Sequence, residues 1–189
     1  MKSLRICAIL AALVLVPAIA NGQGSIGLSG TYVDPVKHLN TLADPGAGGG
    51  VEVFVSVVEE YLGIGGRVAY NQFDVNSDTF TSGKTKVLEL VPSLRLNLVP
   101  NYYKMNLFIQ AGYGWYKWSV NNKINDETIN KFDHTDNGGY VGVGIQGRIS
   151  DRVSVVVEPQ YHMINSSHRS QLDKKDLQYW SFNLGIQFE

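Results

Sequence analysis

Three acids, Glu52, Glu89 and Glu158, and three bases, Arg67, Arg95 and Arg148, stand in stretches where apolar and polar residues alternate, each on the polar side. Equal numbers of both signs on one buried face point to a charge-paired network, because an unpaired ion removed from water costs several kcal/mol. Gln110, Gln146, Gln160 and Tyr116 share that side and can satisfy the remaining donors and acceptors. Two chemistries suit such a set: a gated polar passage or binding site, and structural filling of an interior.

Nucleophilic and metal chemistry find less. His162 is followed two positions later by Ile164, and Ser166 lies four positions on. Four residues along a strand span roughly 13 Å, whereas a nucleophile must sit within hydrogen-bond reach of its base. His38, His134, His162 and His168 show no paired spacing of the zinc type. No catalytic residue, metal or cofactor is expected.

The elements that carry the charges are strands. In the stretch from Lys86 to Trp118, Leu88, Leu90, Pro92, Leu94, Leu96 and Leu98 occupy every second position, and Leu107, Ile109, Ala111, Tyr113 and Trp115 repeat the pattern after the turn at 100–104. A period of two gives a strand one apolar and one polar face. Each run reaches the roughly 9–11 residues that a tilted strand needs to cross a bilayer. Similar alternation marks residues 25–33, 50–58, 61–73, 138–149, 153–164 and 177–188, which makes eight strands. Long connections are expected at 34–49, 74–85, 119–137 and 165–176, and short turns at 59–60, 100–104 and 150–152. Aromatics collect at the strand ends: Tyr61, Tyr102, Tyr103 and Phe188 near the short turns, Tyr32, Tyr70, Trp118, Tyr161 and Trp180 near the long ones. They suit two interfacial girdles. Pro92 and Pro159 lack a ladder donor, so local bulges are expected there.

The N-terminus reads as a secretory signal peptide over residues 1–20, with Lys2 and Arg5, an apolar core from 6 to 16 and an Ala18-Ile19-Ala20 cleavage site. The mature chain, 21–189, would lose two cations, taking the formal charge from −1 to −3, and would lose Cys7, the only cysteine. That charge suggests no nucleic-acid partner. An exported chain with no long apolar helix can span a membrane only as a closed barrel, since every backbone amide must be paired in lipid. The expected fold is therefore all-β: an eight-stranded antiparallel up-and-down transmembrane barrel. A soluble lipocalin-type barrel would turn the apolar face inward, but Gly30-Thr31-Tyr32 stands where that family has Gly-x-Trp.

The mature chain resembles the OmpA/OmpX-like family of small, porin-like outer-membrane β-barrels. The likeness rests on the eight alternating strands, on Ala111-Gly112-Tyr113-Gly114, and on the final strand Ser181-Phe182-Asn183-Leu184-Gly185-Ile186-Gln187-Phe188. The resemblance implies a Gram-negative outer-membrane location, contact with outer-membrane lipid and lipopolysaccharide, and insertion by the barrel-assembly machinery. Ser181, Ile186 and Phe188 match the family's assembly signal, with Asn183 where glycine is usual and Glu189 after the terminal aromatic. A structural or surface-interaction role, adhesion-type, through four extracellular loops is the first expectation. A narrow channel for small solutes is the alternative, disfavoured because eight strands enclose little more than their own side chains. A lipid A-modifying enzyme ranks third, because the His-x-Ser motif of such barrels is missing at His162.

Overall fold

The computed structural model describes residues 24–37, 39–41, 43–58, 61–75, 82–99, 104–124, 127–165 and 177–189. The expected signal peptide, Tyr102, Tyr103 and most of the connection at 165–176 lie outside these residues. Eight strands follow in chain order: β1 (Gly24–Val36), β2 (Ala43–Val58), β3 (Leu62–Val75), β4 (Ser82–Asn97), β5 (Met105–Ile124), β6 (Glu127–Ser150), β7 (Val153–Asn165) and β8 (Leu177–Phe188). Each pairs antiparallel with its sequence neighbours, and β1 pairs with β8 from Ile26↔Phe188 to Val36↔Gln178, which closes the barrel. Closure removes the unpaired edges that lipid cannot satisfy.

Alternation decides which way each side chain points. Leu28, Val51, Ile64, Val68, Leu90, Leu94, Ile109, Val143, Val157 and Leu184 are exposed, whereas Arg67, Glu89, Gln110, Gln160 and His162 are fully buried. This inversion of the usual soluble pattern leaves an apolar belt far larger than the patches that water tolerates. It also overturns the lipocalin alternative, since the leucine face is outside.

Several strands run past their expected ends. The connection expected at 34–49 shrinks to a turn in which Lys37 takes a left-handed backbone (φ 53°) before a 3-10 turn at Leu39–Thr41. The glycines from Gly46 to Gly50 are strand residues of β2, paired with β1 and β3. A side chain at Gly48 would run into Asn71, so the run that looks like a loop in sequence is where neighbouring backbones crowd. Likewise β5 continues to Ile124 and β6 starts at Glu127, so the connection expected at 119–137 is mostly a ladder. The sequence of those extensions is mostly polar and shows no sustained apolar period.

Two local expectations are corrected. Pro92 and Pro159 produce no bulge: the β4–β5 ladder resumes in register from Leu90↔Trp115 to Ser93↔Gly112, and β6–β7 from Gly142↔Gln160 to Ile145↔Val157. A missing donor costs the pair beside it without inserting a residue. Register shifts fall instead at Asp44/Gly46, Ser56/Val58, Asn122/Lys123 and Arg148/Ser150. Trp118, expected in a girdle, points inward and is buried against Phe73 and Tyr179. Tyr32, Tyr70 and Trp180 do face outward, as a girdle requires.

Candidate functional site

The polar positions of all eight strands converge on the barrel axis, where they form three layers. Nearest the short turns, Arg95 on β4 extends between two rings, with its guanidinium carbon 4.2 Å from the centroids of both Phe54 on β2 and Phe108 on β5. Cation–π contact on both faces holds the planar fork. Its edge donates to Gln110 Oε1 (2.9 Å), Gln187 Oε1 (2.7 Å) and Glu52 Oε2 (3.2 Å), so one side chain ties β4 to β5, β8 and β2. Gly144 makes the room, since a methyl there would overlap the Phe108 ring.

The middle layer centres on Arg67 of β3. Nη1 donates to Gln160 Oε1 (2.6 Å) and Glu52 Oε1 (3.2 Å), Nη2 donates to Asn183 Oδ1 (2.9 Å), and Nε lies 3.7 Å from Glu89 Oε2. Glu52 is thus shared by two guanidiniums, one on each oxygen. Glu89 Oε1 accepts hydrogen bonds from Asn71 Nδ2 and Tyr179 OH.

The third layer closes the barrel toward the longer connections. His162 stacks on Tyr179 with centroids 4.3 Å apart and planes 7° from parallel, and Tyr140 covers its other side. Above it, Val33, Leu39, Phe73, Val87, Trp118 and Tyr179 belong to one buried apolar cluster. A polar passage would have to cross this plug.

The sequence-derived set is therefore divided. Glu52, Arg67, Glu89 and Arg95 meet in one network. Glu158 lies inside near them but makes no ion pair among the described residues. Arg148 stands apart at the barrel rim, where Nη2 pairs with Glu189 Oε2 at 3.3 Å, joined by Gln146. The parity of Arg148 matches the interior, but it sits too near the end of β6 to reach the axis. Ser181 faces the interior, whereas Ile186 and Phe188 are exposed on the outer wall of β8.

Sequence reasoning weighed His162 only against Ser166 and read Ser181 and Asn183 only as part of the assembly signal, and it passed over Tyr179. The β7–β8 register sets His162 opposite Tyr179 and Gln160 opposite Ser181. His162 Nε2 lies 3.0 Å from Ser181 Oγ, and Nδ1 lies 3.3 Å from Tyr116 OH and 4.0 Å from Glu89 Oε2. These are the residue types of a hydrolytic triad, with the serine supplied by the next strand rather than the same one. The geometry serves a different end. Ser181 is 0% exposed, and its hydroxyl is 3.3 Å from Gln160 Oε1, which can only accept. One assignment satisfies the chain: Tyr116 donates to Nδ1, Nε2–H donates to Ser181, and Ser181 donates to Gln160. In that tautomer Nε2 cannot take the serine proton, as a general base must. Among the described residues no three histidine, cysteine or acidic side chains gather as metal ligands.

Comparison with solved structures returns the same architecture at low sequence identity. Neisserial surface protein A superposes with a TM-score of 0.64 at 11% identity, covering 88% of this chain and 96% of that one. A major outer membrane protein from Thermus thermophilus gives 0.58 at 9% identity, over 87% and 98%. Ail, the attachment invasion locus protein of Yersinia pestis, gives 0.53 at 13% identity, over 87% and 96%. No curated protein sequence matches. The sequence itself matches the outer membrane protein beta-barrel domain over residues 6–188, and the chain belongs to that family of outer-membrane β-barrels.

Proposed function

We propose that this protein is a surface-interaction module, a filled barrel that anchors a stiff ribbon through which a macromolecule outside the cell is engaged. The ribbon is the observation that carries this reading. The β6–β7 ladder stops at Asn137↔Asn165, yet β6 goes on pairing with β5 as far as Glu127↔Ile124, and β4 accompanies β5 to Ser82↔Lys123. In outer-membrane barrels the short turns face the periplasm, which puts this extension outside the cell. Over residues 127–133 the far edge of β6 has no ladder neighbour among the described residues. Such an edge offers amides and carbonyls to an extended peptide, which joins the sheet as a further strand. The occupied interior supports an anchor rather than a conduit. Two of the structural neighbours carry names of the same tenor, a surface protein and an attachment invasion locus protein.

The proposed contact surface is thus the paired extension that stands at one of the four expected extracellular loops, the connection at 119–137. Ile186 and Phe188, outward at the end of β8, support recognition by the assembly machinery, and the exposed apolar belt supports contact with lipid and lipopolysaccharide.

The test replaces residues 119–131 with a tight turn and measures attachment of whole cells to host-cell and matrix surfaces. Lost attachment with a retained heat-modifiable band is expected. Unchanged attachment sinks the reading. The channel alternative rests on the polar axis below the plug, and single-channel current that changes on neutralising Arg67, Arg95 or Glu89 would favour it.

A further inference from the structure

The far edge of β6 is complementary to itself. Residues 127–133 read Glu-Thr-Ile-Asn-Lys-Phe-Asp, and among the described residues their backbone pairs with β5 on one side only. Two copies of such an edge, related by a two-fold axis, meet as an antiparallel pair. An axis through Ile129 sets Ile129 opposite its own copy, Glu127 opposite Lys131 and Thr128 opposite Asn130. Every second residue of a strand shares a face, as do residues directly opposite one another. Glu127, Ile129 and Lys131 therefore fall on one face, where acid meets base at both ends of the pair and isoleucine meets isoleucine between them.

The neighbouring registers lack this match. An axis through Asn130 sets Glu127 opposite Asp133, and one through Glu127 or Lys131 sets a charge against its own copy. An axis through Thr128 leaves Glu127 opposite Ile129. Unlike charges directly opposite favour pairing, and like charges oppose it. Charges on an edge ordinarily keep other strands away. Here they disfavour the wrong registers and favour one, which is how an interface acquires specificity.

The axis also decides where the second barrel stands. Ile129 lies two residues from Glu127, where β6 begins, so the partner's strand beyond Lys131 runs past the tip of the ribbon. The paired strands run in opposite directions, whereas barrels inserted in one membrane all send β6 the same way. The second copy therefore belongs to a membrane that faces this one.

Building on the surface-interaction reading above, we propose that the partner of this edge is the same edge of a second copy on a facing cell, so that the ribbon ties like cells together. A short strand pair holds little by itself, and many copies on each surface engage at once.

The test displays the full chain in the outer membrane of a bacterium that otherwise lacks it, in two populations with different fluorescent labels. Mixed clumps are expected, and cells that stay dispersed overturn the proposal. Glu127→Lys and Lys131→Glu each make both cross-strand pairs repulsive and should cut clumping by roughly tenfold or more. Mixing those two variants sets acid opposite base again and should restore mixed clumps, as should the double variant by itself. Single variants that clump like the unaltered protein, or a mixture that stays apart, overturn the proposal. If a variant gives no heat-modifiable band, Ile129→Cys replaces it, since the only native cysteine, Cys7, lies in the expected signal peptide. Oxidation should then join differently tagged copies from the two populations through a disulfide, and the absence of that dimer overturns the proposal. Attachment to host surfaces, measured on the same cells, separates the two readings. Attachment lost on replacing residues 119–131, with clumping blind to the charge swaps, overturns the contact between copies and leaves the surface-interaction reading in place.

Discussion

Arg95 on β4 reaches Glu52 on β2 across the intervening strand β3, with 3.2 Å between Nη2 and Oε2. The path is clear because β3 presents Gly63 and Gly65 inward at this level, opposite Arg95 and Phe54 respectively. Removing either partner strands a largely buried charge, so Arg95→Ala and Glu52→Ala are each expected to cost about 3–5 kcal/mol. Urea midpoints of the folded band measure this. The double variant should lose less than the sum of the singles; strict additivity would mean that the pair is not coupled.

The two glycines are not equivalent. An added methyl at Gly63 meets only ordinary contacts, 3.6 Å from Phe54 and 3.8 Å from Arg95, whereas one at Gly65 would lie 2.7 Å from the Phe54 ring and overlap the β2 backbone. Gly65→Ala should therefore destabilise by about 1–3 kcal/mol, and Gly63→Ala by under about 0.5 kcal/mol. The same urea titration separates them, and equal effects would contradict the crowding seen at Gly65.

Ser181 acts as a hydrogen-bond relay between His162 and Gln160. Ser181→Ala is expected to cost about 1–3 kcal/mol by leaving a buried imidazole donor unmet. Lipid A extracted from cells expressing the protein should show the same acylation with either residue by mass spectrometry. A change in acyl chains confined to the unaltered protein would restore the hydrolytic reading.

Val143 stands on the outer wall of β6, within the apolar belt and opposite Ile109. Val143→Arg is expected to destabilise the barrel by about 2–4 kcal/mol in bilayers, with a much smaller effect when the same change is made near a strand end. Refolding into vesicles across a urea series reads the difference. A neutral result would mean that this face does not meet hydrocarbon.

All eight strands were legible wherever one face meets lipid, because Leu88 to Leu98 and Val141 to Ile145 repeat with period two. Beyond the belt the signal vanishes. Lys84, Lys86, Lys117 and Ser119 lie on exposed positions of continuing strands, and a polar strand wetted outside reads like a loop. The glycine run of β2 misled for a different reason: its lack of side chains answers to crowding from β1 and β3, which are distant in sequence or on the far side of a turn. Parity alone sorted Glu52, Arg67, Glu89 and Arg95 to the inside. It failed for Arg148, because height along the axis matters as much as face. The His162–Ser181 contact was hidden, since it depends on the β7–β8 register, and the search for a serine followed one strand instead of crossing to the next.

The seam between β1 and β8 joins residues as far apart as Ile26 and Phe188. Every other ladder links neighbours in sequence and can zip from its own turn. The seam cannot form until the last strand is present. Closing so long a loop costs about 2–3 kcal/mol more entropy than closing a ten-residue hairpin. Folding should therefore be slow and cooperative, with the seam the last ladder to lock. Until then β1 and β8 each expose a full row of amides and carbonyls, and a nascent sheet in that state is most open to pairing with the wrong neighbour.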